Sequence, residues 1–328
     1  MPEPPPDQGA LLVEALALGV CGTDREIIAG DYGAAPEGEE RLILGHESFG
    51  RVIAAPDESD LAPGDHVVGI VRYPDPVPCP ACAAGQWDMC RNGQYTEHGI
   101  KGLHGFGAER WRIRPEFAVK VDATLGMLGV LLEPASVVAK AWDHVDRVWR
   151  LANTPQRALI TGAGPIGLLA AMMGMQRGHE VHIFDRNREG PKPQLARALG
   201  ASYHSDSVQA LAPLTPDVVI ECTGAPAVIG AVLCQVAPDS VICLAGVGGS
   251  HRADFNMGLF NRSMVLNNGT VFGTVNANLR HYRLAAEGLV RADRAWLERL
   301  ITRRVPLARF AEAFEHRKDD IKVVIEFA

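Results

Sequence analysis

The chain has 328 residues, 47% of them hydrophobic and 22% charged, and carries a net charge of −7. An acidic, mixed charge of this kind excludes the electrostatic footprint of a nucleic-acid or anionic-membrane partner. The length is enough for two domains with separate cores, and seven cysteines in so long a chain point to a reducing, cytoplasmic setting and to metal before disulfides.

In chain order, the first half shows short strand-like runs broken by Gly and Pro: LLVEALALGV (11–20), RLILGHESFGRVIAA (41–55) and GDHVVGIV (64–71). That punctuation predicts a barrel-like β domain with long functional loops. From Arg157 strand and helix alternate. RALITGAG reads as a strand, PIGLLAAMMGMQRG as a helix with Pro165 early in it, EVHIFDR as a second strand and PKPQLARALGA as a second helix. DVVIECTG and SVICLAGVGG are further apolar strands, so the pattern predicts a doubly wound parallel sheet. Ala158 to Gln176 carries no charge, but its glycines and Pro165 predict strand, turn and helix rather than a membrane span. Beyond Asn276 the text is charged and helical, and it ends in DIKVVIEFA, a strand expected to rejoin the first domain.

Gly162, Gly164 and Gly167 form G-x-G-x-x-G as GAGPIG, with Pro165 and Ile166 inside it. A strand precedes the motif, a helix follows, and Asp185 closes the next strand. This is the context in which the first glycine turns the chain, the second admits a pyrophosphate and the third lets helix and strand pack closely. Asp185 is placed to accept both adenosine ribose hydroxyls, which favours NAD. Arg186 and Arg188 offer guanidinium groups to a 2′-phosphate and leave NADP open.

A lone cysteine such as Cys21 in GVCGTD is usually a small buried hydrophobe. Here His46 and Glu47 in GHE and Glu133 in LLEPAS offer an imidazole and carboxylates. Cys21, His46 and Glu133 make a mixed set that leaves a fourth zinc position open, as catalysis requires, with Asp24 available to orient the imidazole. Cys79, Cys82 and Cys90 cluster at C-x2-C-x7-C spacing and suggest a second, structural zinc.

GVCGTD, GHExxG, GDHV, the cysteine lobe, LLEP, the glycine fingerprint and ECTG occur in this order over nearly the whole chain. Together they resemble the zinc-dependent medium-chain dehydrogenase/reductase family. GVCGTDREI, VRYPDP, QYTEHGIKGLHGF, LLEPAS and VFGTVNAN look most like its glucose 1-dehydrogenase branch. The resemblance implies an α/β protein. A GroES-like β-barrel catalytic domain spans 1–150 and is completed by 276–328, and a Rossmann domain with a doubly wound parallel sheet spans 151–275. It implies Cys21, His46 and Glu133 as catalytic zinc ligands, Glu47 as a carboxylate able to enter or tune the metal shell, and Thr23 as the residue that bonds the reacting hydroxyl. Glu97 and Asn276 match positions contacting the sugar or the nicotinamide end, and Thr223 and Gly224 match the stretch beside the cofactor. Of the four structural cysteines of the family, the last three match Cys79, Cys82 and Cys90. Pro76 stands at the first, and the adjacent Asp75 is the candidate fourth ligand.

The implied activity is oxidation of D-glucose or a close aldose to the lactone, with NAD preferred and NADP possible. A polyol, aminocyclitol or secondary-alcohol dehydrogenase is the alternative within the family. A catalytically silent NAD(P)-binding protein or a zinc-free reductase is the alternative outside it, and the complete Cys21, His46 and Glu133 set argues against both. The expected enzyme is a cytoplasmic homo-oligomer, dimer or tetramer, with a small sugar or alcohol as its substrate.

Overall fold

The structure is a computed structural model that describes residues 3–148, 156–235, 237–248 and 253–327. Two compact units divide the chain, Met1–Ser136 with Asn276–Ala328 and Val137–Val275. The boundary expected at 150/151 lies outside the described residues. The division falls earlier, within the helix Leu132–Val148. Its second half belongs to the second unit because Trp142, fully buried, donates its indole N–H to the Ala170 carbonyl at 3.0 Å and lies against Gly174.

The first unit is built on a seven-stranded sheet centred on the strand Leu11–Val20. That strand is apolar along nearly its whole length because partners flank it on each side. Glu47–Ala54 and Arg110–Ile113 run antiparallel to it, and so does the C-terminal strand Lys322–Glu326. Lys322–Glu326 in turn pairs in parallel with Ile301–Pro306. A smaller three-stranded sheet holds Arg72–Tyr73, Thr96–His98 and Gly102–Leu103. Gly19 sits opposite Glu47 in the register, and a Cβ there would collide with the Glu47 carboxylate, so only glycine lets that side chain lie flat over the strand.

The second unit carries a six-stranded, all-parallel sheet. Its order is Ser202–His204, Glu180–Phe184, Arg157–Thr161, Val218–Glu221, Val241–Leu244 and Thr270–Gly273. Strand order reverses between Arg157–Thr161 and Val218–Glu221, the switch point where open α/β sheets receive ligands at their carboxyl ends. The helix Pro165–Gln176 is apolar all round and buried from Gly167 to Gly174, as a helix covered on every face must be. Thus the uncharged stretch 158–176 is a strand followed by a core helix. Among the described residues, the segment long and apolar enough to cross a membrane is Ala123–Val148, and 67% of its most apolar window is buried inside the fold.

Candidate functional site

Cys21 caps the helix Gly22–Ala29, and the Asp24 carboxylate accepts its backbone N–H at 2.8 Å. The same carboxylate faces His46, with Nδ1 and Oδ1 3.4 Å apart, and both atoms are buried without another hydrogen-bond partner. With Nδ1 turned to Asp24, Nε2 is the nitrogen left for a metal. Among the described residues, Cys21, His46 and Glu47 bring one donor atom each to within 4.8 Å of one another. Thr23 stands beside them, its hydroxyl 4.0 Å from the Cys21 sulfur.

Glu133 lies outside that triple but acts on the same charges. Burial pushes its carboxyl up to about 7, against the lowering pull of His46. Burial opposes a charge on His46, yet Asp24 and then Cys21 carry its basicity well above the ordinary value. Glu47 itself is engaged by a residue that motif reading missed. Lys322, fully buried, sets its ammonium 2.7 and 2.5 Å from the two Glu47 oxygens and 3.2 Å from the Val20 carbonyl. Burial works against this ammonium, but Glu47 and then Cys21 hold its basicity above the ordinary lysine value. A thiol, an imidazole and three buried carboxylates around a single lysine make an acidic, soft-and-hard donor set, and such a set fits zinc.

The lobe sulfurs of Cys79, Cys82 and Cys90 also lie within 4.8 Å of one another. The Arg91 N–H points at the Cys79 sulfur from 3.3 Å, and this and the Cys82 amide lower that thiol to about 6. Burial raises the Cys82 thiol to about 11. Neighbouring thiols pulled apart in this way suit a metal, which takes up the deprotonated forms. Asp75 is not part of the triple. Its Oδ1 accepts the Val77 N–H at 2.8 Å, and its buried Oδ2 has no hydrogen-bond partner, which is compatible with an oxygen ligand.

Glu97 is 3% exposed and does not stand alone. Its Oε1 takes two guanidinium contacts from buried Arg72, at 3.0 and 2.9 Å, and the Asn276 side-chain amide at 2.7 Å. Arg72 also donates to the Asp88 carbonyl at 3.2 Å and lies over the Tyr95 ring. Asn276 adopts the left-handed region, φ +62°, with its own Oδ1 accepting the Ala277 N–H. Glu97 and Asn276, which by resemblance contact the sugar or the nicotinamide end, are therefore joined in one network, which Arg72 anchors.

In the second unit, Gly162, Gly164, Asp185, Arg186 and Thr223 line a cavity of about 370 Å³. Pro165 opens the helix behind Gly164, followed by Ile166, and a Cβ on Gly167 would strike the Gly162 carbonyl. Close packing of strand and helix thus requires glycine there. Asp185 accepts the Ala163 N–H at 2.8 Å and the Asn187 N–H at 2.9 Å, so it braces the glycine loop as well as facing the cavity. Glu221, buried and unremarked in the motif reading, accepts from Thr161, from both the N–H and hydroxyl of Thr223, and from the Gly224 N–H. It shapes the turn that carries Thr223 and Gly224. Cys222 lines the same cavity.

Residues 7–123 match the alcohol dehydrogenase GroES-like domain, and residues 126–327 match the glucose dehydrogenase C-terminus. A glucose 1-dehydrogenase of Methanocella arvoryzae is 38% identical over 98% of this chain and 93% of its own length. Glucose 1-dehydrogenase 2 of Vulcanisaeta moutnovskia is 40% identical over 99% of this chain and 93% of its own. The solved structure of Haloferax mediterranei glucose dehydrogenase in complex with NADP, Zn and gluconolactone superposes with a TM-score of 0.91 at 33% identity, covering 100% of this chain and 95% of that one. The glucose dehydrogenase C-terminal match alone spans more than half of the residues, and full-length relatives exceed 30% identity: the chain belongs to the zinc-dependent medium-chain dehydrogenase/reductase family, in its glucose dehydrogenase branch.

Proposed function

We propose that this chain is a zinc-dependent NAD(P) oxidoreductase that oxidises D-glucose, or a close aldose, at C1 to the lactone. The observation that carries the reading is similarity at 38% and 40% identity, over 98% and 99% of the chain, to glucose 1-dehydrogenases. Cys21 and His46, which converge with Glu47, would hold the catalytic zinc together with Glu133, and Lys322 holds Glu47 beside them. When bound, zinc supplies a Lewis acid that lowers the pKa of a hydroxyl oxygen. Asp24 orients His46, and the Thr23 hydroxyl, next to Cys21, would accept a hydrogen bond from the reacting sugar hydroxyl and pass its proton on toward solvent by giving up its own. Glu97, fixed by Arg72 and Asn276, is an acceptor for sugar hydroxyls, and a site built on such groups rejects analogues that lack them. The glycine loop, Asp185, Arg186, Thr223 and Gly224 form the dinucleotide site. Cys79, Cys82 and Cys90, with Asp75, would hold a second zinc.

The seven cysteines are all free thiols, in keeping with a cytoplasmic enzyme. The exposed apolar side chains of the helix Met257–Asn267, among them Met257, Val265 and Leu266, are in keeping with a homo-oligomer. The test is a panel of aldoses, polyols and simple alcohols assayed with both cofactors. D-Glucose or a close aldose is expected to exceed ethanol by at least about 100-fold in kcat/KM. His46→Ala is expected to abolish turnover and lose the catalytic zinc while cofactor binding survives. Simple alcohols outperforming every sugar, or an active metal-free His46→Ala protein, would overturn the reading.

A further inference from the structure

The first unit holds a cleft of about 570 Å³, a size that suits a small molecule. It lies across the small three-stranded sheet from the Glu97 network. Arg72 and Glu97 are opposite one another in the register, and the next residue of each strand, Tyr73 and His98, points to the other face and lines the cleft. One wall is aromatic: His98 stacks on Phe106 with ring centroids 4.6 Å apart and meets Tyr73 edge-on at 4.9 Å. Burial drops the His98 imidazole to about 4, so this wall is uncharged at neutral pH.

A second wall is cationic. Arg110, Arg112 and Arg114 are alternate residues along and just beyond the strand Arg110–Ile113, so their side chains leave it on the same face. Arg110 and Arg112 share the Glu3 carboxylate, at 3.0 and 3.2 Å from its two oxygens. Arg114 lies over the Tyr73 ring, 4.2 Å from its centroid, and meets the Glu116 carboxylate only at 3.9 Å. Of the other acids at the cleft, Glu39 is held by His104 at 2.8 Å and Asp7 is exposed. The arginine pair thus already grips a carboxylate of its own chain. Glu3 is 47% exposed, and an exposed ion pair holds weakly against a competitor that also buries apolar surface.

We propose that this cleft is a second ligand site, for a small organic carboxylate with a flat apolar body. The carboxylate of the ligand takes the place of Glu3 on Arg110 and Arg112, where guanidinium groups match its geometry, and the flat body lies against the rings of Tyr73, His98 and Phe106. A neutral sugar brings neither the charge nor the flat face, so the cleft differs in chemistry as well as in place from the site proposed for the substrate.

The probe is 1-naphthoate, with 1-naphthamide as its neutral counterpart, titrated by calorimetry at low salt into the whole chain. The parent protein is expected to bind 1-naphthoate at least about tenfold tighter than 1-naphthamide. Arg110→Gln, at a half-exposed position, is expected to remove that preference. Glu3→Gln frees the arginines and is expected to tighten 1-naphthoate by about two- to fivefold while leaving 1-naphthamide unchanged. Thermal unfolding midpoints of both variants, expected within about 3 °C of the parent, establish that they are folded. No preference for the naphthoate in the parent, a preference that survives Arg110→Gln, or an affinity that Glu3→Gln leaves unchanged would overturn the proposal.

Discussion

Glu47 and Lys322 are each buried to within a few per cent of fully and hold each other through two short contacts. A buried pair of this kind is costly to break because the survivor is left as an uncompensated charge. Lys322→Met in metal-free protein is therefore expected to cost about 3–5 kcal/mol of unfolding free energy, and adding Glu47→Gln to recover most of it. Denaturant unfolding of the two single variants and the double variant measures the coupling, and a loss below about 1 kcal/mol for Lys322→Met would show that the lysine does not hold Glu47. Cys21, His46 and Glu47 were legible in the sequence because GVCGTD and GHE are short local patterns. Lys322 was not, because it lies in a strand-like run 275 residues from Glu47 and only strand pairing brings it across. Glu97 and Asn276 were likewise visible singly, but their joint dependence on Arg72 is a product of folding.

The cysteine lobe, from the short helix Pro80–Ala83 to the turn Trp87–Met89, has little regular structure of its own. Such an element gains its order from cross-links, and three converging sulfurs provide the place for one. Metal analysis is expected to give two zincs per chain, with Cys82→Ser losing one and lowering thermal stability, and sparing the zinc at Cys21 and His46. Asp75→Ala should weaken retention of that second zinc against a chelator, since the unpartnered Oδ2 is removed. One zinc in active parent protein would leave the lobe without a metal. The parallel sheet was legible because its strands are apolar on both faces and alternate with helices. The end of the first unit was not, because Leu132–Val148 is one continuous helix whose Pro134 sits in its first turn, where proline is tolerated, and the helix runs unbroken through the division at Ser136.

For the whole molecule, the balance of buried charge sets a dependence on pH. The Glu133 carboxyl rises from its ordinary 4.5 to about 7 on folding, chiefly through burial. The native state thus keeps a proton that the unfolded state gives up, so stability of the metal-free protein falls as pH rises from about 4.5 to about 7 and then levels. Zinc requires the deprotonated carboxylate, so its affinity should climb over the same interval with release of protons. Unfolding midpoints of stripped protein at pH 5 and pH 8, with Glu133→Gln as the comparison, measure the first effect. A slope unchanged by Glu133→Gln would assign it to other groups.

The strand Lys322–Glu326 pairs with Leu11–Val20, which means that the first unit is closed by segments lying on either side of the second unit in sequence. During synthesis the lysine that settles Glu47 emerges 275 residues after it. At ordinary ribosomal speed that interval lasts roughly 14–55 s. The Cys21 thiol must pass through it on a sheet that lacks the strand Lys322–Glu326, and the continuous stretch Val137–Val275 is complete before the first unit can be. Oxidants and stray metals therefore meet Cys21 most easily on the nascent chain, before the last strand closes.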